Sequence, residues 1–542
     1  MPLCKSYCQY CKPGVVRYLK IIITILSCLF LVTISYFLLI QLSSKGYKQP
    51  QQLSKSSAKP VVVLLIDSIM DEPLQAAIEE GKAPAFQFLI ENGQYYPYMV
   101  SSFPTMSVSI DSTFLTGTYP DQHKVPALVW YDNKEKELVS YGSAWKEIMK
   151  LGVKEVFTNS IFRLNHTHLS KNVSTIHEEL DGHTASINTL VYRGNHEKSL
   201  NVPRLIALLG ILDKSDTVKA PTYFSYGLLS FLDPENNHTH LWQAFGFNDK
   251  FATTELKYLI QNNRLPSFSL VYFPDNDKKV HKHGTNERKG IENADLQLQE
   301  LLNMYGSWED AIENNTWIVM GDSGQSDIGA NKERALIDLP KLLNGFRIHD
   351  ISEPIKDEDQ IVLGLNERMS FGYILDDHIN IEEVATLLTN DERIGFIAWK
   401  EEEKINAIST HHTGRFSFKP TGDFIDQYKQ TWTIEGNERI LDLILNNHQI
   451  IYREYPDGLA RLYSSFYSHS GTFLVINAKP GFQFVGEGFP THIGGGSHGS
   501  LNKEDSHFPM IVAGTTLEPR HERLIDLKEW ILRIVEENRM QK

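Results

Sequence analysis

The chain has 542 residues, of which 41% are hydrophobic and 22% charged, and its formal net charge is −14 at pH 7. This length and apolar fraction allow a large folded core, which fits one long α/β unit as well as several average domains. The negative charge argues against a nucleic-acid polymer as the main partner, because binding a polyanion requires a basic surface.

An uncharged apolar run covers Ile21–Ile40 and is long enough to cross a bilayer as a helix. A cleaved signal peptide and an uncleaved anchor are the two interpretations. The length of the run and the lack of a nearby small-residue cleavage site favour the anchor. We therefore predict a cytoplasmic tail (1–20), one transmembrane anchor (21–41) and a linker (42–59), with the rest of the chain outside the cytoplasm at the cell membrane.

All four cysteines lie in the tail or the apolar run, at Cys4, Cys8, Cys11 and Cys28. A domain without thiols folds without disulfides and avoids oxidation, which suits export. The three tail cysteines could bind a metal or carry a lipid. Plain juxtamembrane cysteines are the favoured interpretation, because a structural zinc site needs a fourth ligand.

From Val61 onward, apolar strands alternate with amphipathic stretches, as in an α/β sandwich. Strands are predicted at Val61–Ile66, Val153–Phe157, Ser267–Phe273, Thr316–Met320, Ile361–Leu365, Ile394–Ala398, Thr472–Asn477 and Met510–Gly514. Helices are predicted at Pro73–Glu79, Phe86–Asn92, Met106–Leu115, Glu255–Gln261, Ala294–Tyr305, Ile381–Leu388, Glu438–Asn446 and Leu524–Glu536. Residues 345–482 are rich in charge and lack a metal-type cluster, so we interpret them as an inserted cap subdomain. The catalytic α/β domain then comprises residues 60–344 and 483–542.

The first strand ends in Asp67, at the sheet edge where ligands of α/β proteins collect. Thr105 follows a proline and precedes the predicted helix Met106–Leu115. A hydroxyl at a helix N-terminus faces free N–H groups and a dipole that favour an anion. A carboxylate together with an anion-facing hydroxyl suggests metal-assisted phosphoryl or sulfuryl chemistry.

Three later clusters have the same character. The strand Ser267–Phe273 runs into Asp275, Asp277, His281 and His283; the strand Thr316–Met320 runs into Asp322 and Ser323; and a glycine-rich loop carries His498. Asp277 and His281 are four residues apart and share one face of a helix, and carboxylate with imidazole suits Zn²⁺. Carboxylates gathered at one sheet edge repel unless a cation lies between them, so a metal site is favoured over simple helix capping.

In this order, the motifs resemble those of the alkaline phosphatase superfamily, and within it those of the type I phosphodiesterase/nucleotide pyrophosphatase family. The similar segments are VVVLLID ending at Asp67, SSFPT ending at Thr105, LTGTYPDQH ending at His123, DKKVHKHG with Asp277 and His281, and GGSHG with His498. The resemblance implies a three-layer α/β/α sandwich with a mostly parallel sheet and an inserted cap.

The resemblance also implies a membrane-anchored, metal-dependent phosphodiesterase or phosphatase that acts on a small phosphoester through a covalent phospho-threonine at Thr105. It implies two divalent ions, with zinc expected. One centre would comprise Asp67, Thr105 and Asp322; the other would comprise Asp277, His281 and His498. Asp275 or His283 could replace a neighbouring ligand.

The chain departs from the family at Ser323, where the family has a histidine that completes the centre around Asp67 and Thr105. An oxygen-rich centre would accept Mn²⁺ or Mg²⁺, or His283 or His492 would supply the missing ligand. The family's phosphate-binding asparagine is also missing near Pro126, so nucleotide specificity is not carried over. Two alternatives remain: a phosphoglycerol- or phosphoethanolamine-type transferase acting on envelope polymers, and a degenerate binding protein without activity.

Overall fold

The computed structural model describes residues 58–180 and 184–540. In these residues, no helix combines the length and apolar character that crossing a membrane requires, and the predicted tail and anchor lie outside them. The chain divides into two compact units. In the described part, the first unit consists of residues 200–216 and contains the helix Arg204–Leu208. The second unit consists of residues 58–180, 184–199 and 217–540, and it contains the sheets and the candidate site.

Among the described residues, the main sheet has seven strands, and the central strand Val61–Ile66 lies parallel to Phe268–Phe273 and to Thr316–Met320. Across the sheet, the order is Gln94–Val100, His507–Ala513, Thr316–Met320, Val61–Ile66, Phe268–Phe273, Thr184–Ile187 and Tyr223–Ser225. The last five strands are parallel, whereas His507–Ala513 is antiparallel to both of its neighbours. The predicted mostly parallel α/β sheet is confirmed.

The central strand is apolar throughout and fully buried, because both faces of the sheet are covered. Val61, Val63 and Leu65 belong to one core, and the alternate side chains belong to another. The first core includes helices Ser107–Thr116 and Leu527–Met540. The second includes helices Asp71–Glu79, Pro84–Glu91, Asp249–Gln261, Lys289–Leu302 and Trp308–Asn314.

A second sheet of nine strands lies within residues 361–478. Its strands are Ile361–Asn366, Met369–Ile374, Ile394–Glu401, Lys404–Ser409, Phe416–Asp426, Thr431–Gly436, Leu443–Asn446, Gln449–Tyr452 and Phe473–Ala478. The helix Ile381–Leu388 packs against it in a third core. The sheet lies inside the predicted cap, whose boundaries at 345 and 482 stay a prediction.

Two predicted elements are wrong. Val153–Phe157 is not a strand but part of a helix, Val153–Thr158, which continues as a π-helix, Asn159–His168. A short apolar run has no periodicity that separates a strand from a helix. The predicted helix at 438–446 is a 3₁₀ turn, Glu438–Leu441, followed by the strand Leu443–Asn446, because Asp442 adopts a left-handed conformation with φ of 46°.

The remaining elements are short. The helices are Pro120–His123, Trp145–Leu151, Ile176–Glu179, Asp275–His283, Lys332–Ala335, Leu339–Leu342, Gly458–Phe466 and Lys503–Ser506, with 3₁₀ turns at Leu241–Gly246 and Leu524–Asp526. Paired strands are Val129–Asp132 with Glu137–Ser140, His196–Ser199 with Thr217–Ala220, Ser326–Asp327 with Gly496–Ser497, and Leu336–Asp338 with Gln483–Val485.

Candidate active site

The three predicted carboxylates meet at the carboxyl edge of the parallel strands, where Ser68 joins them. The Ser68 N–H donates to Asp322 Oδ1 at 3.0 Å, and its hydroxyl donates to Asp277 Oδ1 at 3.0 Å. Ser68 reaches both because its backbone is left-handed, with φ of 56°. The Tyr272 hydroxyl donates to Asp67 Oδ2. The strand register therefore places Asp67, Asp277 and Asp322 together, as their positions after three strands predict.

These carboxylates carry the electrostatic marks of a cation site. Burial, together with the charge of Asp277, raises the pKa of Asp67 to about 7. Burial and the charge of Asp67 raise the pKa of Asp322 well above its usual range. Within the described chain, Asp322 Oδ2 is buried and has no hydrogen-bond partner. A buried acceptor without a donor, beside two further carboxylates, fits a metal ion.

A second cluster joins the helix Asp275–His283 to the glycine-rich loop. His281 Nε2 lies 3.1 Å from Asp277 Oδ1, and His498 Nε2 lies 3.7 Å from the same oxygen. His281 Nδ1 is hydrogen-bonded to the Gly496 carbonyl at 2.9 Å, and His498 Nδ1 to the Thr105 carbonyl. Each Nδ1 is therefore occupied by a carbonyl, and each Nε2 faces Asp277 as the ring nitrogen that could bind a metal after losing its proton, an arrangement found in metal-binding histidines.

Glu367 also belongs to this second cluster and was not predicted. It lies in the turn between strands Ile361–Asn366 and Met369–Ile374, and its Oε1 is 3.9 Å from His281 Nε2 and 3.2 Å from His492 Nε2. In the described residues, two groups have ligand atoms close enough for one ion: Asp277, His281 and His498; and His281, Glu367 and His492. A glutamate in a hairpin turn belongs to no recognisable motif, so the local sequence does not identify Glu367 as part of a site.

The charged groups of the second cluster shift one another's pKa values strongly. Burial would lower the pKa of His281, but Asp277 and Glu367 raise it to about 10. Burial would raise the pKa of Asp277, but His281 and His498 lower it. The pKa of Glu367 lies well below its usual range, because His281, His492 and His498 outweigh its burial. A cluster that holds a proton this tightly attracts cations.

Thr105 is fully buried just before the helix Ser107–Thr116 and is tied to the His498 loop. The Gly499 N–H donates to its hydroxyl at 2.7 Å, and the hydroxyl donates to the Ser500 carbonyl at 3.4 Å. No hydrogen bond in the described residues joins Thr105 to Asp67 or Asp322. A metal centre shared by these three residues stays a prediction.

The supporting candidates differ in position. The Asp275 N–H donates to the Asp249 carboxylate, the Asp249 N–H donates to the Asp275 carboxylate, and Asp275 also pairs with Lys278. His283 is exposed, and neither Asp275 nor His283 is a member of the two groups above. His492 is a member. The Ser323 N–H donates to Asp322 Oδ1 at 2.8 Å, whereas its buried hydroxyl has no hydrogen-bond partner in the part of the chain that the structure describes.

The chain is similar to known proteins in sequence and in fold. A family model for type I phosphodiesterase/nucleotide pyrophosphatase matches residues 61–500. No curated protein sequence matches the chain. Among solved structures, murine ectonucleotide pyrophosphatase/phosphodiesterase 5 is 13% identical, with a TM-score of 0.52, and the alignment covers 88% of this chain and 95% of that one. Phosphonoacetate hydrolase from Sinorhizobium meliloti 1021 is 14% identical, with a TM-score of 0.50, and the alignment covers 91% of this chain and 100% of that one.

Proposed function

This chain belongs to the type I phosphodiesterase/nucleotide pyrophosphatase family of phosphoester hydrolases, and from that premise we propose a metal-dependent enzyme with Thr105 as its nucleophile. We further propose that residues 21–41 anchor it in the cell membrane and that the catalytic domain is extracytoplasmic. Its substrate is then a small phosphoester. The net charge of −14 argues against a nucleic-acid polymer.

The observation that carries this proposal is the link between Thr105 and the loop at 498–500. The Gly499 N–H holds the Thr105 hydroxyl, and the preceding residue, His498, faces Asp277 across 3.7 Å. The nucleophile and a metal-type cluster are thus positioned by the same short segment. One murine structural neighbour is a threonine-to-alanine variant in complex with AMP, and it is described as inactive. That description supports a test of the threonine in this chain.

The donor sets suggest which residues would hold the ions. Asp277, His281 and His498 mix carboxylate with imidazole and suit Zn²⁺, whereas Asp67 and Asp322 offer oxygen alone and suit Mn²⁺ or Mg²⁺. When bound, divalent ions would stabilise negative charge on the phosphoryl oxygens.

The chain's own residues then position and attack the phosphoryl group. Thr105 Oγ1 would attack phosphorus as the bond to the leaving alcohol oxygen breaks, with the hydroxyl proton passing to that oxygen. Water would then cleave the phospho-threonine, its hydroxyl going to phosphorus and its other proton to Thr105 Oγ1. Within the described residues, no side chain caps the start of helix Ser107–Thr116, so the N–H groups of its first two residues would be available to a phosphate. The Thr105 side chain is fully buried, so groups that cover it must move before a substrate can reach the hydroxyl.

The test compares Thr105→Ala, Thr105→Ser and wild-type protein on chromogenic phosphomonoesters and phosphodiesters with added Zn²⁺ or Mn²⁺. Thr105→Ala should lose turnover, and Thr105→Ser should keep part of it because the hydroxyl remains. Thr253→Ala is the matched control: Thr253 is equally buried in a helix, and its hydroxyl has no hydrogen-bond partner among the described residues. Near-wild-type turnover in Thr105→Ala would make the assigned chemistry wrong.

A degenerate binding protein is the alternative that Ser323 favours, since a serine replaces an expected histidine ligand. It predicts no turnover of either substrate with any metal. A transferase would instead pass the phosphoryl-bearing group to an added acceptor alcohol, which product analysis in the same assay would show.

A further inference from the structure

The two potential ligand groups of the second cluster share one atom, His281 Nε2. One ring nitrogen binds one ion, and His281 Nδ1 is already engaged with the Gly496 carbonyl. The two groups therefore cannot each hold an ion through that atom, and Glu367 and His492 are additional candidate ligands of one ion at His281 Nε2. Which of the additional residues, Glu367 and His492, can reach that ion is decided by geometry.

Glu367 has the spacing of a ligand. Atoms that bind one zinc ion at about 2.1 Å lie about 3.0–3.4 Å apart, and farther when the angle between them is wide. His281 Nε2 is 3.1 Å from Asp277 Oδ1 and 3.9 Å from Glu367 Oε1. His498 Nε2 is 3.7 Å from the same Asp277 oxygen. Glu367 Oε1 is grouped with His281 but not with Asp277 or His498, so its side chain must move toward them for the four atoms to surround one ion.

The second oxygen of Glu367 is used to orient the side chain. Oε2 accepts from the Ser497 hydroxyl at 2.6 Å and from the His498 N–H at 3.4 Å. Oε1 is therefore the oxygen directed at the imidazoles. Carboxylate ligands of metal ions are held by such outer hydrogen bonds, so Ser497 has the position of a supporting residue.

His492 is excluded as a ligand of the same ion. Its ring stacks on that of His281, with centroids 3.8 Å apart and planes 18° from parallel. An imidazole binds a metal ion in the plane of its ring. Because the rings of His281 and His492 lie face to face in nearly parallel planes, one ion cannot lie in both planes. His492 instead places Nε2 at 3.2 Å from Glu367 Oε1, where an N–H donates to the carboxylate.

The loop that carries Glu367 is fixed in position. Glu367 and Arg368 form a two-residue hairpin loop, and the φ of 57° at Glu367 is the conformation such a loop requires. The loop is held against the metal-type cluster, since the Arg368 N–H donates to the His498 carbonyl at 3.0 Å.

We propose that Glu367 is a fourth protein ligand of the ion held by Asp277, His281 and His498, and that His492 positions it through a hydrogen bond. The proposal rests on the metal requirement of the proposed function and goes beyond it, because no family motif of this chain contains Glu367. Two carboxylates and two imidazoles would then hold the ion, a donor set that suits Zn²⁺.

The experiment measures metal binding rather than turnover. Full-length wild-type protein and Glu367→Gln are stripped with a chelator and titrated with Zn²⁺, and the absorption spectrum of the Co²⁺-loaded proteins is recorded. Glu367→Gln should raise the zinc dissociation constant at least about tenfold and change the Co²⁺ spectrum. Glu402→Gln is the control, since Glu402 also lies in a two-residue hairpin loop with φ of 52° but is exposed.

Glu367→Gly guards against a folding artefact, because glycine removes the carboxylate while relieving the positive φ. It should unfold no more easily than wild type in chelator and still bind zinc weakly. If Glu367→Gln binds zinc as tightly as wild type and has the same Co²⁺ spectrum, Glu367 is not a ligand. This conclusion holds whether or not the wild type hydrolyses phosphoesters. Weakened zinc binding in a protein without hydrolase activity would support the ligand and overturn the proposed function alone.

Discussion

Replacing Gly499 by alanine should disturb both the fold and the nucleophile. Gly499 has φ of 113°, and an added Cβ would lie 2.3 Å from the Asn366 carbonyl oxygen and 2.9 Å from Met106 Cε. The unfavourable φ costs about 1–2 kcal/mol, and overpacking adds about 1–3 kcal/mol. We therefore expect the free energy of unfolding to fall by about 2–5 kcal/mol.

The same substitution should reduce turnover, because the Gly499 N–H binds the Thr105 hydroxyl. A shift of about 1 Å in a reacting group costs about 100-fold in rate. Gly494→Ala tests the effect of a positive φ without a steric clash. Gly494 has φ of 73°, but the nearest atom to an added Cβ is 3.9 Å away. We expect it to cost only about 1–2 kcal/mol and to keep most activity.

The assays are urea unfolding followed by tryptophan fluorescence and hydrolysis of a chromogenic phosphodiester at matched concentrations of folded protein. Equal losses of stability and of activity in Gly494→Ala and Gly499→Ala would contradict both expectations. That result would mean that the contact with Asn366 is absent in solution and that the loop at 498–500 does not position the nucleophile.

Three further predictions concern the metals. His281→Ala and His498→Ala should each lower bound zinc and reduce the rise in melting temperature on adding zinc, since a metal stabilises the state that binds it; zinc occupancy equal to wild type would remove them from the ligand set. Wild-type activity should rise with added Mn²⁺, and Ser323→His should move the optimum toward Zn²⁺; two tightly held zinc ions in the wild type would contradict this. Because Asp277 and Glu367 outweigh burial and raise the pKa of His281 to about 10, a proton competes with the ion below that pH. Zinc affinity should therefore increase from pH 6 to pH 9, and a flat titration series would show that His281 is not a ligand.

Much of this arrangement could be predicted from local sequence. The apolar run Val61–Ile66 specifies a buried parallel strand, and the spacing of Asp277 and His281 specifies one helix face, because both patterns follow the repeat of the backbone itself. Asp67 and Asp322 were located for the same reason: each directly follows a strand, and parallel strands end at one edge. The family assignment required only the order of these short segments.

Other features were decided by the tertiary structure. Glu367 reaches His281 only because the hairpin loop of the second sheet packs on the His498 loop, through contacts between residues far apart in the chain. The Thr105 hydroxyl accepts a hydrogen bond from the Gly499 N–H, and the ring of His492 stacks on that of His281. Local periodicity determines helices and strands, but the packing of one turn against another depends on the complete set of long-range contacts. The strands and their terminal carboxylates were therefore determined by the sequence alone, and the composition of the second cluster by the fold.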